Sequence, residues 1–165
     1  MPALPLVLYP DPRLRLAAPP VTSFDDALRA FADDLLDTLR AVSALGLTGP
    51  HVGAPLRLTI IRAGLDLAPL VYVNPELVSA SPETARHREG SVSMPGVDEE
   101  VERPARVRVR WRDLDGTAHE ADEEGFSAAC LQHEIDQLDG LFWIERLSRL
   151  KRERVLKRYA KLRRG

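Results

Sequence analysis

Residues 132–140 read Gln132-His133-Glu134-Ile135-Asp136-Gln137-Leu138-Asp139-Gly140, and no other stretch constrains the chain as much. On a helix, side chains four apart leave the same face. A His-Glu-x-x-His run therefore aims two imidazoles at one metal ion and leaves the Glu between them to handle protons. Here Gln137 stands where the second imidazole would be. A carboxamide oxygen is a neutral, weak ligand for a borderline metal and does not replace a ring nitrogen on equal terms. The scaffold is that of a metallohydrolase; the ligand set is not. Gly140 sits where glycine commonly ends a helix, which bounds this helix at about Ser127 to Leu138.

The rest of the chain supplies strands and two further helices. Leu28, Phe31, Leu35, Leu39 and Val42 form an apolar stripe with helical spacing, entered through Thr22 or Ser23 as N-cap with Asp25 and Asp26 in the first turn. Leu58-Thr59-Ile60-Ile61 and Leu70-Val71-Tyr72-Val73 read as strands, the second stopped by Asn74-Pro75. Val107, Val109 and Trp111 alternate with Arg106, Arg108, Arg110 and Arg112, a half-buried strand with an arginine face that Asp113-Leu114-Asp115-Gly116 turns back on itself. A basic helix over about 144–163 closes the chain. Strands and helices without regular alternation predict an α+β fold, and 165 residues predict one domain over 1–165.

Charge is lopsided. Residues 146–165 carry ten Lys or Arg and one acid, while the formal net charge of the whole chain is only −2. The basic helix is thus a candidate contact for an anionic surface such as a ribosome, the plainer reading being a solvated helix face. No apolar run approaches the ~18–20 residues of a membrane span. One cysteine, Cys130, and no evident leader at the start fit a reducing cytoplasm. Cys130 reads as packing, and His87 and His119, in charged segments, read as exposed.

Two further segments join residues 132–140: Gly46-Leu47-Thr48-Gly49-Pro50-His51-Val52-Gly53 and Glu89-Gly90-Ser91-Val92-Ser93-Met94-Pro95-Gly96. In order and spacing the three resemble the signature motifs of the peptide deformylases. Tyr9-Pro10-Asp11-Pro12-Arg13, Asn74-Pro75, Arg103-Pro104 and Arg146-Leu147-Ser148 extend the resemblance over about residues 7–158. The resemblance implies antiparallel sheets around a central helix carrying His133-Glu134, and removal of the formyl group from the N-terminal formyl-methionine of nascent peptides. It also implies Fe2+, or Zn2+ or Ni2+, held by one Cys and two His. A Glu moves the proton of the bound water, and a Gln side chain and a backbone N–H meet the oxyanion.

The departures fall on these positions. Ser91 takes the place of the Cys ligand, Gln137 that of the second His, and His51 that of the oxyanion Gln; His133 is the one ligand kept, and Glu134 is kept as the catalytic carboxylate. A serine hydroxyl is a hard, neutral donor where cysteine offers a soft anion. The expectation is no tightly bound metal, weak or absent hydrolysis, no membrane or direct DNA role, and a pocket built from Gly46, Gly49, His51 and Val92 that still receives a formyl-methionyl or similar peptide. The alternative is a working deformylase whose metal is held by His51, His133 and oxygen donors. A metal-free Ser91–His51 nucleophile pair is a further possibility, although the residues around Ser91 lack the Gly-x-Ser-x-Gly elbow.

Overall fold

The computed structural model describes residues 3–62 and 67–164. Among the described residues, three α-helices, α1 (Asp26–Ala41), α2 (Gly125–Leu138) and α3 (Arg149–Arg164), accompany seven strands: β1 (Gly46–Thr48), β2 (Leu58–Ile61), β3 (Leu70–Ala80), β4 (Thr84–Ser91), β5 (Met94–Pro104), β6 (Arg106–Arg112) and β7 (Ala118–Glu124). Five strands form one antiparallel sheet in the order β1-β2-β3-β6-β7, and β4 and β5 form a separate two-stranded ribbon. Helix α2 packs against strands of both. The α+β fold, with antiparallel sheets about a central helix, is as the sequence predicts.

Helix α2 is buried on every face, since each residue from Leu131 to Leu138 is shielded from solvent. A wholly enclosed helix is normally apolar all round. This one carries Gln132, His133, Glu134, Asp136 and Gln137, and among the described residues all but Glu134 have a hydrogen-bond partner within the fold. The Gln132 amide donates to the Pro104 carbonyl at 3.0 Å, and the Gln137 amide donates to the Leu14 carbonyl at 2.7 Å. Asp136 accepts from Arg103 at 2.8 Å and from Arg146 at 2.9 Å. The helix is thereby fixed in rotation by partners from three separate parts of the chain.

Several boundaries differ from the sequence reading, each for a local reason. The cap of α1 is Asp25, whose carboxylate accepts from the Leu28 N–H at 3.0 Å, rather than Thr22 or Ser23. Strand β3 does not stop at Asn74-Pro75 but continues to Ala80 through an irregularity between Val73 and Glu76. Asn74 adopts φ 52°, which asparagine tolerates better than most residues, and its carboxamide brackets the Val21 backbone, accepting at 2.7 Å and donating at 2.9 Å. The terminal helix starts at Arg149, not near residue 144. Trp143, Ile144 and Leu147 are buried, and a 3-10 turn over Trp143–Arg146 delivers them to the core before the helix begins. Among the described residues no helix is long and apolar enough to cross a membrane.

Candidate functional site

A cavity of about 450 Å³ lies between β1, the β4–β5 ribbon and α2. Of the residues singled out in the sequence, Gly46, His51, Ser91, Val92, His133 and Glu134 line it. The structure thus brings the three sequence segments to one place. At Gly46 the Glu134 side chain comes close, since a Cβ there would stand 3.0 Å from it and the carboxylate would have to give way by a few tenths of an ångström. Gly49 lies behind the wall, where a Cβ would be 2.5 Å from the Leu56 carbonyl oxygen, so it shapes the loop without facing the cavity. Gln137 also faces elsewhere, toward Leu14.

His51 sits in a 3-10 turn, Pro50–Val52, directly after β1. Burial first, and the charge of His133 second, push its pKa down to about 3, so the ring is neutral near pH 7. Its tautomer follows from its neighbour. The Thr48 backbone N–H donates to Nδ1 at 3.0 Å, so that nitrogen is the acceptor and the proton resides on Nε2. Nδ1 is 3.9 Å from Glu134 Oε2, a contact that a neutral ring does not turn into an ion pair.

On the opposite side, His133 Nδ1 meets Glu89 Oε1 at 2.8 Å and Nε2 lies 3.5 Å from Glu134 Oε1. Burial disfavours the imidazolium, but the Glu89 hydrogen bond and the Glu134 and Glu89 charges outweigh it, and the His133 pKa is raised. Burial would raise Glu89 as well; hydrogen bonds from His133 and Arg103 overcome this and hold it at about 2. Glu134 has no such donors, and burial pushes it up to about 7 against the opposing pull of His133. Among the described residues, Glu134 Oε2 and His51 Nε2 are buried atoms without a hydrogen-bond partner.

Ser91 closes β4, and its hydroxyl accepts from the Ser93 N–H at 3.1 Å rather than meeting an imidazole. Cys130 forms part of the cavity wall while packing against the core, and burial, with the charges of Glu134 and Glu89, pushes its thiol up to about 12. It stays protonated, as suits a packing residue. His87 neighbours Phe126 at the cavity rim, and His119 stacks on Trp111 far from the site.

Glu89 and Arg103 have no role assigned by the sequence motifs that contain them, yet they organise this site. Arg103 binds Glu89 at 2.9 Å and Asp136 at 2.8 Å, and Glu89 in turn orients His133. No local pattern around Glu89 or Arg103 signals this, because the partners that give them their role, His133 and Asp136, lie on the central helix. Among the described residues no group of three or more His, Cys, Asp or Glu side chains is disposed to hold a metal ion.

The family described as polypeptide deformylase matches residues 3–153. A peptide deformylase-like protein of Brucella melitensis is 57% identical over 159 residues, covering 96% of this chain and 97% of that one. One from Bradyrhizobium diazoefficiens is 58% identical over 161 residues, covering 98% and 95%. The crystal structure of a peptide deformylase from Legionella pneumophila superimposes with a TM-score of 0.92 at 36% identity, covering 99% of this chain and 96% of that chain.

Proposed function

The chain belongs to the polypeptide deformylase family, and from that premise we propose that its pocket receives an N-terminal formyl-methionyl peptide, or a similar one, without a tightly held metal and with weak or absent hydrolysis. The family's metal, Fe2+, Zn2+ or Ni2+, would need anionic or imidazole donors at three positions. This chain offers His133, a serine hydroxyl at Ser91 and the carboxamide of Gln137, and they do not fit. The observation that carries the reading is the donor chemistry at position 137, where a carboxamide whose N–H is held by the Leu14 carbonyl at 2.7 Å has only a neutral oxygen left to offer a metal.

The alternative, in which His51 joins His133 as a ligand, meets a specific obstacle. Ligation through Nε2 would require the ring proton on Nδ1, where the Thr48 N–H already donates. Glu134, the kept carboxylate, then serves to bind rather than to activate water. Val92, Val97 and the rim residues Val42 and Phe126 give the cavity the apolar walls that a methionine side chain would occupy. The whole chain serves as one domain, cytoplasmic in setting. The test is elemental analysis of the purified protein beside a formyl-peptide hydrolysis assay. The expected result is substoichiometric Fe, Ni and Zn and no turnover; full metal occupancy with turnover discards the proposal.

The family scaffold also suggests attachment to the ribosome through α3. Arg154, Lys157, Lys161 and Arg164 are exposed on it, whereas Val155 and Tyr159 reach the core. Removing the helix would therefore damage the fold, and charge reversal is the cleaner probe. The pair Lys157→Glu and Lys161→Glu is expected to weaken ribosome co-sedimentation and flatten its salt dependence. Unchanged binding would exclude this attachment.

A further inference from the structure

Helix α3 stands behind one wall of the cavity. Lys151, Arg158 and Leu162 share a face of the helix, and each meets β5 in turn. The Lys151 ammonium donates to the Glu100 carbonyl at 3.4 Å. Arg158 donates to the Asp98 carbonyl at 3.1 Å and to the Glu99 carboxylate at 3.4 Å. Leu162 covers Gly96, where a Cβ would come within 2.8 Å of its methyl group. The helix thus runs antiparallel to residues Gly96 to Glu100, and Val97 and Asp98 of that stretch line the cavity. Asp98 is held twice, its carbonyl by Arg158 of α3 and its carboxylate by Arg88 of β4 at 2.7 Å.

The outer side of α3 is cationic and open to solvent. Arg154 and Lys161, about one turn to either side of Arg158, are exposed, and the Arg158 side chain is 50% exposed. A phosphodiester chain lying along this row meets Arg158 at its middle. Phosphate offers the guanidinium two charged oxygens, a stronger partner than a neutral carbonyl. We infer that RNA on α3 and a peptide in the cavity oppose one another through Arg158: phosphate draws the guanidinium off Asp98 and Glu99, and the β5 wall of the cavity loosens. The helix is thereby a regulatory surface for the cavity and not only an attachment. This rests on the reading that the cavity admits a peptide, and it adds how that binding is controlled. By linkage the effect is reciprocal, so the peptide weakens RNA binding by the same factor.

The experiment is calorimetric titration of the full chain with formyl-Met-Ala, alone and with saturating oligouridylate, beside amide hydrogen exchange over residues 96–100. Oligouridylate is expected to weaken peptide binding about two- to fivefold, the size suited to a half-exposed contact, and to speed that exchange. Arg158→Gln should bind peptide without RNA as the native chain does with it, exchange fast from the outset, and respond no further. Lys157→Gln, on the exposed side, should need more RNA yet show the full effect at saturation. If no peptide binds, the reading of the cavity fails, and the exchange measurement alone decides the coupling. Absence of RNA binding, exchange unchanged at saturating RNA, or an Arg158→Gln response equal to the native one overturns the inference. A response to phosphatidylglycerol vesicles with none to oligouridylate also overturns it, since the partner would then be a membrane.

Discussion

The combined variant Ser91→Cys, Gln137→His and His51→Gln is expected to bind about one equivalent of Fe2+, Ni2+ or Zn2+ and to acquire formyl-peptide hydrolysis, with at least about 10²-fold more turnover than the native chain. Cysteine at 91 supplies a soft anion, and histidine at 137 returns the imidazole one helical turn from His133. The surroundings already suit these residues. Glu89 sits on Nδ1 of His133 at 2.8 Å, which leaves Nε2 for a metal. The Leu14 carbonyl, now accepting from the Gln137 amide at 2.7 Å, is placed to accept a ring N–H from a new histidine, the usual way a ligand imidazole is oriented. Single substitutions should give little, because a ligand set acts as a unit. Elemental analysis reads the metal directly, apart from activity. A triple variant that folds yet takes up no metal would show that the loss lies deeper than the ligands.

The sequence made the central feature legible because its pattern is local. His133 and Glu134 share a helix with Gly140 at its end, and the alternation at Val107, Val109 and Trp111 marks a face whose arginines do pair with acids such as Glu120 and Asp122. What was not legible depends on partners distant in the chain. Gln137 looks from its spacing like a residue of the pocket, and only its bond to Leu14, 123 positions away, takes it out of the cavity. Gly49 reads as a pocket glycine, whereas its need is space behind the wall, set by Leu56 and Ala54. Asn74-Pro75 reads as a stop; the carboxamide of Asn74 finds Val21, 53 positions earlier, and the strand goes on. Periodicity identifies which face is buried but carries no information about what meets it.

Arg103→Met is expected to destabilise the fold by about 3–5 kcal/mol, because it strips the countercharge from two buried carboxylates. Arg103 is 5% exposed and spans Glu89 and Asp136, which lie in different layers: the β4–β5 ribbon and the central helix. Asp136 keeps a second partner in Arg146, at 2.9 Å, but Glu89 is left with His133 alone. Arg146→Ala is the informative comparison. Its side chain is 48% exposed, so solvent screens what is lost, and the expected effect is about 0–1 kcal/mol. Urea unfolding separates the two. The acid limb gives a second reading with a definite sign. Glu89 is held at about 2, below its ordinary 4.5, so its contribution is complete above pH 4.5 and disappears as pH falls through 2. Without the Arg103 guanidinium that pKa rises, and the acid transition of Arg103→Met should move to higher pH. A variant that unfolds at the native urea midpoint and the native acid pH would mean that β4 and α2 are joined by apolar packing alone, and that the orientation of His133 does not depend on the arginine behind it.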